Sequence, residues 1–306
     1  MDNIVFLHMN QLGDLLFSLP VLKAAGDELN AKIYSVVKPG LAPLLQTSNL
    51  VDGVIPKERS VLKLIKNLKA GNFNKAVLFS ESPSTVLSAY FSGIKDIAGF
   101  KTSSLKFLLT QKAQRKGVPS LYNNRNLGKL MGLKNIKSDY TDILRIPEDE
   151  LNRADKWFSV NNIDKNKAVA VSVGASKKRK DKCLKTDVWV EVIDKLSERG
   201  FNCVLSGASW EKQSMAELAD RCKSKPEIFS ADNGILESAA FLKKCALFVG
   251  IDSGAMHLAA ALGTKCVAVF GHTDPAQIGP MPLNRHIIIK KGSVSEITAA
   301  DIISKI

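Results

Sequence analysis

Short, wholly apolar runs alternate along this chain with longer segments whose apolar positions recur every three or four residues. The first kind suits a strand buried on both faces, and the second suits a helix laid over a sheet. Ile4 to His8 reads as a buried strand, Leu15 to Ala25 as a helix and Lys32 to Val37 as a strand. Ser60 to Lys69 reads as a basic amphipathic helix and Lys75 to Phe79 as a strand. The rhythm then restarts. Ala168 to Val173 reads as a strand, Thr186 to Arg199 as a helix with Thr186 as N-cap, Asn202 to Ser206 as a strand and Trp210 to Cys222 as a helix. Leu247 to Gly250 and Val267 to Phe270 complete the strands, with a helix opening near Gly254 between them. This alternation predicts the α/β class, with parallel sheets covered by helices.

Between the two series lies Ile146-Pro147-Glu148-Asp149-Glu150, an acidic break marked by proline, followed by a helical stretch through Phe158. The pattern therefore predicts two Rossmann-like domains, 1–155 and 156–306, facing each other across a cleft. Ligands of such sheets sit beyond the carboxyl ends of the strands. A length of 306 residues suits two domains of ordinary size.

Charge changes the picture in one place. The net charge is +13, and Lys57 to Lys137 carries 16 basic residues against three acidic ones, Glu58, Glu81 and Asp96. The remainder balances at 27 against 27. A surplus confined to one stretch points to an anionic partner such as nucleic acid, an acidic membrane face or a phosphorylated glycolipid, the bland alternative being solubility. The five cysteines are never closer than 19 residues, which argues against a disulfide framework, a zinc ribbon or a redox pair. They read as core residues of a cytosolic protein. Met1-Asp2-Asn3 lacks the basic start of a signal peptide, and charged residues interrupt every long apolar run, so any membrane contact is expected to be peripheral.

Two turns carry candidate chemistry. Asn10-Gln11-Leu12-Gly13-Asp14 follows the first strand and precedes a helix. Gly13 permits a tight turn and close approach to the backbone. Asp14 reads either as an N-cap, the commoner use of a carboxylate there, or as a general base for an acceptor hydroxyl. The second turn, Asp252-Ser253-Gly254-Ala255, joins a strand to the alanine-rich helix holding His257. Ser253, Gly254 and Ala255 leave amides unobstructed at the helix start, where free N–H groups favour a diphosphate. Asp252 suits sugar hydroxyls, and His257 reads equally as a core residue or a supporting one. Neither turn is a GxGxxG or Walker sequence. Lys177-Lys178-Arg179-Lys180-Asp181-Lys182 follows a strand and offers charge to a diphosphate leaving group, although such runs are more often merely solvated. Phe270-Gly271-His272-Thr273-Asp274-Pro275 reads as a punctuated turn.

Taken together, "LGDLLFSLPVLKAAGDELNAKIYSVVKPG", "VDGVIP", "VLSGASWEK" and "FVGIDSGAMHLAAALGTKCVAVFGHTDPAQIGP" resemble the heptosyltransferases of glycosyltransferase family 9, in order and over nearly the whole chain. The resemblance implies a GT-B fold and inverting, metal-independent transfer from an ADP-heptose donor, with no further cofactor. It raises Asp14 from cap to expected catalyst, since single displacement needs a base on the acceptor side. It assigns Asp252 to heptose hydroxyls, Ser253, Gly254 and Ala255 to phosphate, Lys182 to phosphate charge, Glu211 to the ribose, Asn233 to the adenine region and His257 to donor support. Where family members often read Lys-x-Trp-Pro, this chain has Lys182-Cys183-Leu184-Lys185, so the phosphate lysine stays open within 177–182.

The implied acceptor is an anionic lipopolysaccharide inner core, Kdo-lipid A or a core heptose. Gly13, Lys57, Arg59, Lys63, Lys66, Lys112, Arg115 and Arg125 are then expected to hold it, with Lys116 beside them, at the cytoplasmic face of the inner membrane. The enzyme is expected to be monomeric, and about 296–306 to form a closing helix packed on the N-terminal domain. Two other classes remain in view: a sugar-nucleotide epimerase of similar fold, and a non-catalytic nucleic-acid-binding protein, against which the absence of any reading module counts. A metalloenzyme is not expected, because His8, His257, His272 and His286 lack close ligand spacing.

Overall fold

The apolar runs become strands of two parallel sheets, and the periodic segments become the helices that cover them. A computed structural model describes residues 1–8, 11–117, 119–174 and 180–306. Asn10 of the first turn and Lys177, Lys178 and Arg179 of the basic loop lie outside the described residues, as does the side chain of Lys180. The chain divides into two units, 1–143 and 144–306.

The first unit runs β1 (Asp2–Leu7), α1 (Leu12–Leu16), α2 (Leu19–Glu28), β2 (Ala31–Val37), α3 (Ala42–Thr47), β3 (Gly53–Pro56), α4 (Val61–Ala70), β4 (Lys75–Leu78), α5 (Pro83–Phe91), β5 (Asp96–Phe100), β6 (Gln111–Ala113) and α6 (Ser120–Leu130). Its sheet has the order β3-β2-β1-β4-β5-β6, with every pairing parallel. Val5 and Leu7 of β1 point into one apolar cluster with Leu64 and Leu68 of α4 and Val86 of α5. Right-handed crossovers on the two sides of β1 and β4 run in opposite directions, which puts α2 and α3 on the other face. Ser60 caps α4 by accepting the Lys63 N–H at 3.4 Å, as the helix start read from sequence requires.

The second unit runs α7 (Glu148–Val160), β7 (Ala168–Ser172), α8 (Thr186–Glu198), β8 (Asn202–Ala208), α9 (Lys212–Arg221), β9 (Glu227–Ala231), α10 (Ile235–Lys244), β10 (Leu247–Ile251), α11 (Gly254–Ala261), β11 (Lys265–Phe270), α12 (Pro275–Ile278), β12 (Ile287–Lys290) and α13 (Ala299–Ile303). Its parallel sheet, β12-β11-β10-β7-β8-β9, repeats the order of the first unit in reverse listing. In both sheets the order reverses direction beside the first strand of the unit, between β1 and β4 and between β7 and β10, as in dinucleotide-binding folds.

Several expectations shift. The helix read from Leu15 to Ala25 is two helices, because Ser18 and Pro20 start α2 afresh, Pro20 standing at a position whose missing N–H needs no partner. Thr186 is the first helical residue of α8, and the capping position belongs to Lys185. The expected domain boundary at 155 cuts through α7. Three acids begin that helix and complement its dipole. Asp155 is tied to Lys165 and Lys244 of the second unit, the latter at 2.7 Å. Trp157 and Phe158 pack on Phe241 at centroid distances of 5.3 and 5.2 Å. The final helix, expected on the N-terminal domain, packs on α8 of its own unit: Ile302 joins the cluster of Val192 and Leu196, and Arg199 donates to the Ile303 carbonyl at 2.8 Å.

Phe241 also stacks on Phe229 at 3.9 Å, so one ring joins α7, α10 and β9. Phe241→Ala should therefore destabilise the second unit by about 3–5 kcal/mol, read as a lowered denaturant midpoint.

Candidate functional site

In the first unit the chemistry gathers on loops at the carboxyl edge of the sheet. Asp14 is the third residue of α1; the cap position is Gln11, and no side chain caps this helix. The capping use of Asp14 is thus not the one adopted. Its carboxylate accepts no hydrogen bond from a described residue, and the residue is half-buried. Burial pushes the Asp14 carboxyl above its usual range, while the positive charges of Arg115 and Lys57 pull it back. A carboxylate in this state keeps free lone pairs and a raised proton affinity, both of which a base requires. Gly13 precedes it, and its carbonyl accepts the Phe17 N–H at 3.0 Å.

The two cations are held by the protein. Lys57, directly after β3, donates to the His8 carbonyl at 2.7 Å, and burial lowers its pKa against the raising effect of Asp14. Arg115, just beyond β6, pairs with Glu81 at 2.6 Å and lies 5.4 Å over the Phe100 ring. Glu81 follows β4 and also accepts from Thr102 at 2.8 Å. Glu81 entered the sequence reading only as one of three acids in the basic stretch; its pairing with Arg115 joins loops 34 residues apart. Beneath the turn, His8 is buried between Ser18 and Ser35, each 3.0 Å from a ring nitrogen. Ser18 gives its proton to the Leu15 carbonyl, so it accepts from Nδ1–H, and Ser35 donates to Nε2. The imidazole is neutral, with its pKa pushed down to about 3 by burial and by Lys57.

The remaining basic candidates divide between places. Arg59 precedes α4, and Lys63 and Lys66 are exposed along it. Lys112 is exposed on β6, and Lys116 lies beyond it. Arg125 is on α6, where it stacks 5.5 Å over Tyr122, and α6 packs on α2, on the opposite face of the sheet from α4. The basic stretch is therefore not one continuous patch.

In the second unit Asp252 follows β10 and is 6 % exposed. Its Oδ2 accepts from Lys182 Nζ and from Thr273 Oγ1, the latter at 2.9 Å. The Phe270-to-Pro275 loop, a turn by its composition and part of the family resemblance, thus holds the carboxylate through Thr273, a role the sequence reading had not given it. Ser253 caps α11 by accepting the Met256 N–H at 3.4 Å, and Gly254 and Ala255 open the helix with amides that have no partner within it. His257 is buried and its pKa is pushed down to about 4, chiefly by burial, with Asp252 opposing and Lys182 and His286 adding. Gly250 is required on β10, since a Cβ there would lie 2.7 Å from the Ser172 carbonyl of β7.

Glu211 reaches back across the ends of β7 and β8. A Cβ on Gly174 would collide with its carboxylate, one on Gly207 would lie 3.1 Å from it, and it accepts the Ala208 N–H at 3.0 Å. Burial raises its pKa and that N–H lowers it. Asn233 follows β9, and its backbone and side-chain amides both donate to Glu237, at 2.7 and 3.1 Å. Lys182, Glu211, Asn233 and Asp252 to Ala255 thus all lie at the carboxyl edge of one sheet. Among the described residues no cluster of three or more His, Cys, Asp or Glu has metal-ligand geometry, and no helix is long and apolar enough to cross a membrane.

Two sheets of this order, each with its polar residues at the point where the order reverses, make a pair of Rossmann-like units that bind ligands beyond their strand ends. The family model of glycosyltransferase family 9 (heptosyltransferase) matches residues 61–301, and the chain belongs to that family. It is 25% identical over 285 residues to lipopolysaccharide heptosyltransferase 3 of Escherichia coli K12, covering 87% of this chain and 81% of that one. The solved family 9 glycosyltransferase of Veillonella parvula superposes with a TM-score of 0.88 at 17% identity, over 99% of this chain and 96% of that one. Escherichia coli heptosyltransferase WaaC with ADP-2-deoxy-2-fluoro heptose gives 0.75 at 20%, over 99% and 98%. The fold is accordingly GT-B and the protein is a glycosyltransferase, which displaces the epimerase and nucleic-acid-binding alternatives.

The two buried histidines make a stability prediction. Their folded pKa values lie below the ordinary 6.5, so the unfolded chain takes up the protons. The stability from keeping them neutral is complete above pH 6.5 and is lost as pH falls toward about 4 for His257 and about 3 for His8. His8→Gln should flatten that acid-side decline, measured by denaturant titration across the range.

Proposed function

We propose that this protein is an inverting, metal-independent heptosyltransferase that moves heptose from ADP-heptose to a lipopolysaccharide inner-core acceptor, Kdo-lipid A or a core heptose. It works as a monomer at the cytoplasmic face of the inner membrane. The observation that carries the reading is Asp14: a half-buried carboxylate with no hydrogen-bond donor among the described residues, on the first turn after β1 and under the charges of Lys57 and Arg115. The relatives named above include a lipopolysaccharide heptosyltransferase and an enzyme bound to an ADP-heptose analogue, which supports the substrate classes.

In this reading Asp14 takes the proton of the acceptor hydroxyl as the oxygen attacks the anomeric carbon. The bond from that carbon to the diphosphate oxygen breaks, its electron pair leaves with ADP, and the anomeric configuration inverts. The sugar's hydroxyls are met by Asp252, held by Thr273, and the diphosphate by the amides of Ser253, Gly254 and Ala255 at the positive end of α11. Lys182 balances the charge that develops on ADP. Glu211 accepts from the ribose, and Asn233 borders the adenine. His257 stays neutral and packs beneath the phosphate turn. Arg59, Lys63, Lys66 and Lys112 meet acceptor carboxylates and phosphates, whereas Arg125, on the opposite face of the sheet from α4, does not join them. Lys57 and Arg115 do so as well, while keeping Asp14 ionised.

Asp14→Asn should lower kcat by about 10²–10⁴-fold with ADP affinity retained, and EDTA should leave wild-type turnover unchanged. Nucleotide release with ADP-heptose and a delipidated core acceptor reads both; near-normal turnover in the variant would falsify the base assignment. Removing a cation beside a buried carboxylate raises its pKa further. Lys57→Met should therefore move the acid limb of the kcat/KM profile to higher pH, and Lys57→Arg should keep that limb near its wild-type position.

A further inference from the structure

On one face of the first sheet the outer layer consists of α4, α5 and the turn at Lys106–Leu108. Leu64, Leu68, Val86 and Leu108 fill the space beneath it. Its outward positions are of two kinds. Leu62 is 78% exposed, Phe107 71%, Phe91 56% and Tyr90 47%. One exposed leucine is ordinary, but four large apolar side chains in one layer are not accounted for by the fold's own packing. Beside them Lys63, Lys66, Lys69 and Lys106 are exposed and form no ion pair with a described residue.

Only two acids occur between Arg59 and Leu109, and both are already neutralised. Glu81 pairs with Arg115 at 2.6 Å, and Asp96 with Lys75 at 2.9 Å. On α4, Leu62, Lys66 and Lys69 follow the i, i+4, i+7 spacing of one helical stripe, so lysine stems lie beside the leucine.

We propose that this layer is a membrane-docking surface for an anionic bilayer. Leu62 and Phe107 enter the headgroup region, and Lys63, Lys66, Lys69 and Lys106 pair with lipid phosphates. A nucleic acid would engage the lysines but gain little from Leu62; a bilayer interface accommodates both kinds of side chain at once. The proposal deepens the functional reading, which places the acceptor in a lipid leaflet, but vesicle binding is measured without either substrate, so each can fail alone.

The test is co-sedimentation of the full chain with vesicles of phosphatidylethanolamine and phosphatidylglycerol, and separately of phosphatidylcholine. Wild type should bind the anionic vesicles, more weakly at high salt, and not the neutral ones. Leu62→Ser with Phe107→Ser should weaken binding by about tenfold or more. Thermal unfolding and transfer to a soluble, delipidated acceptor should be unchanged, because both positions are exposed and neither is placed at the site. Equal sedimentation of variant and wild type, or no preference of wild type for the anionic vesicles, would overturn the proposal. So would size-exclusion data in which wild type is a dimer and the variant a monomer, since the face would then join two copies of the chain.

Discussion

Parallel strands covered by helices on both faces leave no polar surface within the sheet. Val5, Phe6 and Leu7 of β1 and all of β10 are buried, so anything that ionises or binds must sit where the strands end. The right hand of the crossovers sends neighbouring connections to opposite faces on either side of the order reversal, and the loops after β1 and β4, or β7 and β10, part there. Glu81, Lys182 and Asp252 occupy such loops, and Asp14 lies in the first turn of the helix that follows β1. The protein's chemistry follows from that restriction more than from any single residue.

The same restriction makes charge at those edges costly unless it is matched. Asp14 sits half-buried with Lys57 and Arg115 offsetting its burial, and those cations are in turn fixed by the His8 carbonyl and by Glu81. Asp252 is balanced by Lys182 and Thr273. The two carboxylates differ in a way that matches their proposed duties. Asp252 is anchored through Oδ2 by two donors, which fixes it to orient a ligand, whereas Asp14 retains its lone pairs, as a base must. Replacing either cation partner is thus expected to alter the protonation of the carboxylate as well as its position.

The outer layer of the first unit obeys a different logic. α4 carries no acid and α5 carries no charge, so the layer combines a cationic stripe with exposed apolar side chains. Internal packing selects Leu64 and Leu68 but gives no reason for Leu62 or Phe107. That separation of inward and outward apolar residues is visible only once the layer's register is known.

Periodicity and turn chemistry alone were enough for the α/β class, the tandem arrangement, most long strands, the start of α4 at Ser60 and the helix opening after Ser253. These depend on residues close together in sequence. The short strands β3, β5, β6 and β9 carried too few apolar residues to stand out, and β12, three isoleucines and a lysine, was not read. Local pattern also merged α1 with α2, and only backbone geometry shows Asp14 inside the first turn instead of capping it. The division before α7, the seating of α13 on α8, and the pairings of Arg115 with Glu81 and of Thr273 with Asp252 were decided by tertiary structure. Each joins groups tens of residues apart, and which groups meet there depends on strand order, a property that no local window of sequence contains.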